Sequence, residues 1–144
     1  MRKTLSISLT LFLLSCDREE NVSQNDSGKF IGVWKESKSF VISGKNSSII
    51  FSSIPNSCES KSTFEFTSDK KYISNYYNDN SGSCKFDEKV VVDYSYDSNL
   101  KKINIGGYTG DVLLLTNTKI QIVEGLYDED NDGIEDKMIF EITK

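Results

Sequence analysis

From residue 30 onward the chain is built of short segments in which apolar and polar residues alternate. The clearest segment lies at residues 62–67, where Phe64 and Phe66 fall on one side and Glu65 falls on the other. A period of two residues is typical of a β-strand with one buried face. A single strand of this kind is not stable alone, so the rest of the chain must supply its partners.

Segments of this kind recur along the chain, and clusters of turn-forming residues such as Asn-Asp-Asn-Ser-Gly-Ser at 78–83 separate them. No stretch shows a convincing helical period, and about nine strands follow one another at a spacing of roughly 8–12 residues. Sequential hairpins imply an antiparallel meander, which tends to close because closure removes unpaired edges. The sequence therefore predicts an all-β fold, a small antiparallel up-and-down β-barrel. The strand-like runs in the sequence lie at residues 30–35, 39–42, 48–51, 62–67, 71–76, 90–96, 101–105, 112–115, 119–127 and 137–143.

The N-terminus has the organisation of a bacterial lipoprotein signal peptide. Arg2 and Lys3 precede an apolar segment at residues 4–14, which is shorter than the ~20 apolar residues that span a bilayer. The segment ends in Leu-Leu-Ser-Cys, which resembles the lipidation motif of bacterial lipoproteins. This resemblance implies removal of residues 1–15 and acylation of Cys16, which would attach the protein to a membrane. A plain signal peptide with an incidental cysteine is the alternative.

Residues 16–29 are expected to form the lipidated N-terminus and a flexible polar tether to a folded domain at residues 30–144. The acidic run Asp-Arg-Glu-Glu at 17–20 resembles the surface-export signal of lipoproteins in the Bacteroidetes group. A solvated tether beside the membrane would explain the same charges. The lipoprotein resemblance implies a location in the bacterial cell envelope, anchored to the outer membrane, with surface exposure left open.

The composition argues against several classes of function. The chain has no histidine, which removes the commonest general base and the commonest zinc ligand. Its net charge of −5 argues against nucleic-acid binding, which requires the neutralisation of phosphates. No nucleophile motif accompanies the carboxylates. We therefore expect a monomeric protein that is not an enzyme.

The chain has three cysteines, an odd number that calls for an explanation in an exported protein. If Cys16 carries lipid, Cys58 and Cys84 remain as a pair on either side of a predicted hairpin. The exported location is oxidising, so we expect this pair to form a disulfide. A reactive or metal-binding thiol pair is the alternative, although no histidine or third thiol is present to complete a metal site.

The order of motifs in the folded domain resembles that of lipocalins. Gly32 and Trp34 form a Gly-x-Trp opening on the first strand. One cysteine then precedes a Thr-Phe-x-Phe strand at residues 63–66, and the other precedes a Tyr-Ser-Tyr strand at residues 94–96. Together with residues 99–105, these features resemble the lipocalin-like domains of Bacteroidetes lipoproteins.

The resemblance implies that Trp34, beside Gly32, closes one end of the barrel and that the interior holds a small apolar molecule. The chain departs from lipocalins in two ways, because no helix is visible after the last strand and the usual arginine of that strand is absent. Lys144 is the only nearby cation available to cover Trp34. The alternative function is that of a structural or interaction protein, with a filled barrel that acts through its outer surface. Five tyrosines are expected to fill the interior rather than line a pocket: Tyr72, Tyr76, Tyr77, Tyr94 and Tyr96.

The acidic segment that begins at residue 128 predicts a candidate calcium site. Carboxylates occupy positions 1, 3, 5 and 9 of this loop and glycine occupies position 6, so that alternate side chains can converge on a hard cation. The pattern resembles thrombospondin type 3, dockerin-type and EF-hand loops, although Ile139 stands at position 12 in place of glutamate. An acidic hairpin turn built on Asp132-Gly133 is the alternative. The expected ligands are the carboxylates of Asp128, Asp130, Asp132 and Asp136 and the carbonyl of Ile134.

Overall fold

The computed structural model describes residues 26–144. A single helical turn, α1, precedes nine strands, and a 3-10 turn at Glu59–Lys61 lies between the second and third strands. Each strand pairs with its neighbours in the antiparallel sense. The elements are α1 (Ser27–Phe30), β1 (Gly32–Ile42), β2 (Ile49–Ser53), β3 (Thr63–Phe66), β4 (Lys71–Asn78), β5 (Lys85–Asp97), β6 (Lys102–Ile105), β7 (Tyr108–Leu115), β8 (Lys119–Tyr127) and β9 (Asp136–Thr143).

The first strand closes the sheet into a barrel. Residues 32–34 of β1 pair with β3, and residues 35–42 pair with β9, so the last strand of the meander returns to the first. β2 pairs with residues 39–42 of the same strand. This arrangement leaves few unpaired edges. The all-β, antiparallel, up-and-down lipocalin-like fold that the sequence predicts is confirmed.

The beginning of the domain differs from the sequence prediction. Residues 27–29 were expected to belong to the tether, and Phe30 to the first strand, yet all four residues form α1. The reason is tertiary contact, because the Phe30 ring is fully buried and lies 5.2 Å from the Phe66 ring and 4.9 Å from the Tyr96 ring. The indole N–H of Trp34 also donates to the Phe30 carbonyl at 2.6 Å. These contacts hold the turn against the barrel where sequence period alone gives no helical signal.

The two runs predicted at residues 30–35 and 39–42 form one strand. A β-bulge lies between Glu36 and Lys38 in the pairing of β1 with β9. A bulge inserts one extra residue, and this changes which side chains face inward beyond it. The interrupted alternation of β1 therefore reflects a bulge within a continuous strand.

The part of the barrel nearest α1 is filled with apolar side chains. Phe64 and Phe66 are both buried, as their alternation predicts, and Ile103 is 1% exposed. A second small cluster joins Phe40 and Ile139. The main core contains Phe30, Trp34, Phe64, Phe66, Tyr94, Ile103, Val112, Ile120, Ile122 and Ile142.

The barrel has a closed end and an open end. Trp34 and Lys144 mark the closed end, where β1 begins and β9 finishes. The segments at residues 43–48, 54–62, 79–84 and 128–135 connect strands at the opposite end. Across residues 26–144, no helix has the length and apolar character that crossing a membrane requires.

Candidate functional site

The closed end of the barrel is sealed by the side chain of Trp34. This indole is fully buried, and the ammonium of Lys144 lies 4.4 Å from its ring centroid. The same ammonium donates to the Ile31 carbonyl at 2.9 Å. Gly32 has φ +129°, and a Cβ there would lie 3.1 Å from the Lys144 side chain. Glycine at this position therefore permits both the backbone conformation and the close approach of the cation.

The open half of the barrel contains two adjoining chambers that share four lining residues. The upper chamber has a volume of about 380 Å³, within the ~300–1,000 Å³ range of small-molecule sites. The lower chamber, of about 170 Å³, lies deeper against the core. The shared residues are Tyr72, Tyr76, Glu124 and Phe140.

Aromatic side chains form much of the wall between the chambers. The ring of Phe64 lies 5.7 Å from that of Tyr76 and 5.1 Å from that of Phe140, both in edge-to-face geometry. Tyr72 lies 5.0 Å from Phe66 at the floor. Edge-to-face pairs hold rings at defined positions, so this wall is preorganised.

The five tyrosines singled out in the sequence divide into two groups. Tyr94 is 3% exposed, and Tyr96 packs against the core from the closed end. Tyr72 and Tyr76 both pack against the core and line the two chambers, while Tyr77 lines only the upper one. The expectation that all five serve packing is therefore correct for two, while the other three also border the cavity.

Two carboxylates belong to the cavity wall. Glu36 on β1 lines the upper chamber, and Glu124 on β8 lines both chambers. Burial raises the pKa of the Glu124 carboxyl, and the nearby charge of Glu36 raises it further. Burial also raises the pKa of Tyr72, which keeps that phenol neutral. The cavity is therefore bounded by aromatic rings together with polar and acidic side chains, and no lysine or arginine among the described residues lines it.

The mouth of the upper chamber is held by the disulfide. Cys58 and Cys84 are bonded, with their Cα atoms 5.3 Å apart, so the predicted pairing is supported. Glu59 and Ser62 follow Cys58 and line the upper chamber. The bond therefore ties the segment that carries these two residues to the β4–β5 connection across the mouth.

The acidic loop brings together some of its predicted metal ligands. Carboxylate oxygens of Asp128, Asp130 and Asp136 lie within 4.8 Å of one another. Asp132 lies outside this triad, because one of its oxygens is 3.4 Å from the Lys45 ammonium and the other accepts the Ile134 N–H at 2.9 Å. Burial and the neighbouring carboxylates raise the pKa of Asp130. This charge repulsion would be relieved by a cation, so the triad remains a candidate calcium site.

Asp136 also has a structural role in the same loop. Its side chain is fully buried, and its two oxygens accept N–H groups from Gly44 at 2.9 Å and from Glu129 at 2.8 Å. These hydrogen bonds, the one from Gly44 above all, lower the pKa of Asp136. Gly44 lies so close to the Glu135 backbone that a side chain there would collide with it. Asp136 thus fastens the acidic loop to the β1–β2 connection.

Sequence reasoning did not identify Glu36 or Glu124 as cavity residues, or Ser74 as a buried polar residue beside the cavity wall. Glu124 falls at the next alternate position after Ile120 and Ile122, whose side chains point into the barrel. An acidic residue at a position where the alternation predicts an apolar one could have indicated the site. Ser74 is 0% exposed, and it shares the inward face of β4 with the two tyrosines that flank it. Cys16, the predicted lipid attachment residue, lies outside the residues that the structure describes.

The geometry defines a closed antiparallel barrel with an internal cavity, the class of protein to which lipocalins belong. A family model described as a lipocalin-like domain matches residues 30–143. The chain therefore belongs to the lipocalin-like domain family.

Solved structures with similar folds include two bovine proteins. The bovine lipocalin allergen Bos d 2 is 16% identical, with a TM-score of 0.46 over 83% of this chain and 75% of that chain. A deswapped triple mutant of bovine odorant binding protein is 13% identical, with a TM-score of 0.39 over 81% of this chain and 74% of that chain. At these values neither similarity carries information about function. A search of curated proteins returned no match.

Proposed function

We propose that this protein is an envelope-anchored, lipocalin-like lipoprotein that binds a small apolar molecule inside its barrel. The single observation that carries the binding role is the cavity of about 380 Å³ beneath the mouth. Its size is sufficient for a small ligand, and aromatic rings bound it. The proposed role is non-enzymatic, because binding requires only this shaped interior.

The alternative is a structural or interaction role for the outer surface. The observation that favours it is the apolar character of β2 and the residues after it, where Ile49, Phe51 and Ile54 are exposed. β2 pairs with β1 at one edge, and exposed apolar side chains on such a strand are typical of contact surfaces. The two proposals are separable, because one depends on the interior and the other does not.

Binding is tested with the neutral apolar dye N-phenyl-1-naphthylamine, whose fluorescence rises in an apolar site. We expect saturable binding to the folded domain, and loss of binding in Glu124→Trp, which places an indole where the two chambers meet. Glu65→Trp adds the same ring outside the cavity and should retain binding. Thermal melts of both variants check that the fold is kept. Absence of saturable dye binding, or equal binding by the two variants, would favour the surface role.

Lipid anchoring is tested by expressing the full chain in a Gram-negative host that is fed an alkyne-tagged palmitate. We expect the protein to be labelled and to sediment with the outer membrane. Cys16→Ala should lose both properties, whereas Cys58→Ala should keep the label because it removes a different thiol. Labelling that survives in Cys16→Ala would overturn the anchor proposal.

A further inference from the structure

We propose that the molecule bound in the barrel is cationic, with a protonated amine on a small apolar body. This inference rests on the proposed ligand-binding function and narrows the chemical class of the ligand. It follows from three observations: the charge of the cavity lining, its aromatic wall, and a buried hydroxyl group without a partner on the strand that carries two of the wall tyrosines.

Every formally charged side chain that lines the two chambers is acidic. Glu36 and Glu124 lie in the interior, and three more acids surround the mouth. Lysine and arginine are absent from both linings, among the residues that the structure describes. The carboxylates of Glu36 and Glu124 repel each other in a partly desolvated space, and a ligand cation would neutralise this repulsion. The acids at the mouth are Glu59, Asp87 and Glu88.

The aromatic wall suits a cation that carries an apolar group. Tyr72, Tyr76 and Phe140 border both chambers beside Glu124. The faces of aromatic rings attract ammonium groups, and the same rings bury the apolar remainder of a ligand. A purely apolar molecule in the chambers would exclude water from the Glu124 carboxylate without supplying an opposite charge, which is unfavourable.

Ser74 lies on β4 between Tyr72 and Tyr76, although it lines neither chamber itself. Its hydroxyl is fully buried and has no hydrogen-bond partner within residues 26–144, although it lies near the Tyr72 phenol. It shares the inward face of β4 with Tyr72 and Tyr76, which border the cavity. A buried polar group without a partner is unusual, so a donor that reached this hydroxyl would be stabilised. An ammonium has three hydrogens to donate, so it can contact this oxygen and a carboxylate together.

The test compares three ligands with the same eight-carbon chain: octylamine, octanol and octanoate. Binding to the full domain is measured by isothermal titration calorimetry at pH 7 and low ionic strength. We expect octylamine to bind at least tenfold more tightly than octanol, and octanoate to bind more weakly than either. In Glu36→Gln/Glu124→Gln the affinities for octylamine and octanol should become equal. Glu65→Gln removes one negative charge outside the cavity and should keep the advantage of the amine.

The outcomes separate this inference from the proposal on which it rests. If octanol and octanoate bind as tightly as octylamine, the cationic preference is wrong and ligand binding stands. If the amine advantage persists in the double variant, the interior carboxylates do not recognise the cation and the inference fails. If none of the three ligands binds, the ligand-binding function itself is overturned.

Discussion

The ammonium of Lys144 lies 4.4 Å from the ring centroid of Trp34, and it donates a hydrogen bond to the Ile31 carbonyl. The last residue of the chain thereby covers the ring that seals the closed end of the barrel. A lysine beyond the final strand supplies the cation at this position. A cation over an indole stabilises a fold by about 0.5–1 kcal/mol at exposed sites.

We predict that Lys144→Met lowers the free energy of unfolding by about 1–2 kcal/mol, because the variant loses both the ring contact and the hydrogen bond. Urea denaturation followed by Trp34 fluorescence measures the loss and also reports the environment of the indole. Lys89→Met is the matched control, since Lys89 is exposed on β5 and should change stability much less. Equal effects of the two substitutions would show that the Lys144 contacts contribute nothing specific.

The disulfide should contribute to stability and to the shape of the cavity mouth. Cys58 and Cys84 are separated by 26 residues in sequence, for which loop-closure entropy suggests ~3–4 kcal/mol. We predict that Cys58→Ala/Cys84→Ala unfolds at lower urea concentration and that reductant shifts the native protein toward the same midpoint. Reductant should leave the double variant unchanged. A native protein that keeps its midpoint after complete reduction would contradict the prediction.

The pKa of Glu124 gives stability a definite dependence on pH. Burial and the Glu36 charge raise this pKa in the folded state, so the folded protein binds this proton more tightly than the unfolded chain does. Ionisation of Glu124 therefore disfavours folding progressively as pH rises from about 4 through the folded-state pKa. We predict that Glu124→Gln is more stable relative to the native protein at pH 7 than at pH 4.

The pH prediction is measured by chemical denaturation at both pH values, with Glu65→Gln as the control. Glu65 lies on the opposite face of β3 from Phe64 and Phe66. The effect of Glu65→Gln on the free energy of unfolding should therefore differ less between pH 4 and pH 7. A Glu124→Gln advantage that is the same at pH 4 and pH 7 would mean that the carboxyl has an ordinary pKa.

Calcium binding at the acidic loop stays a prediction, and the carboxylates of Asp128, Asp130 and Asp136 are the expected ligands. We expect weak binding at millimolar calcium, as in extracellular modules, with a rise in the thermal midpoint. Asp130→Asn should abolish this rise, because it weakens a ligand without removing the hydrogen bonds of Asp136. Asp79→Asn, in the exposed β4–β5 connection, should retain it. A calorimetric titration without heat at millimolar calcium would exclude the site.

Some features of this protein follow from the sequence because they depend on local pattern. The alternation around Phe64 and Phe66 gave β3 its inward face, and the turn cluster at 78–83 separated β4 from β5. The bulge in β1 was not predictable, since it depends on pairing with β9. α1 was missed for the same reason, because the contacts of Phe30 with distant rings stabilise it.

Only part of the candidate site could be predicted, because some of its residues meet only when distant strands pair. The cysteine pair could be inferred from the number of cysteines and the expected oxidising compartment. The acidic loop could be inferred from the spacing of its carboxylates. Glu36 and Glu124 come from strands far apart in sequence, and they line one cavity because β1 and β8 both pair with β9. Their combined charge is a property of barrel closure, and no local pattern contains it.

The position of Lys144 beside Ile31 and Gly32 has a consequence for orientation. Asp26 and Lys144, the first and last residues that the structure describes, lie at the closed end of the barrel, while the disulfide and the cavity mouth lie at the open end. If the residues before Asp26 are attached to a surface, the closed end of the barrel therefore lies nearest that surface. Molecules that approach from solution would then reach the acidic residues around the cavity mouth first.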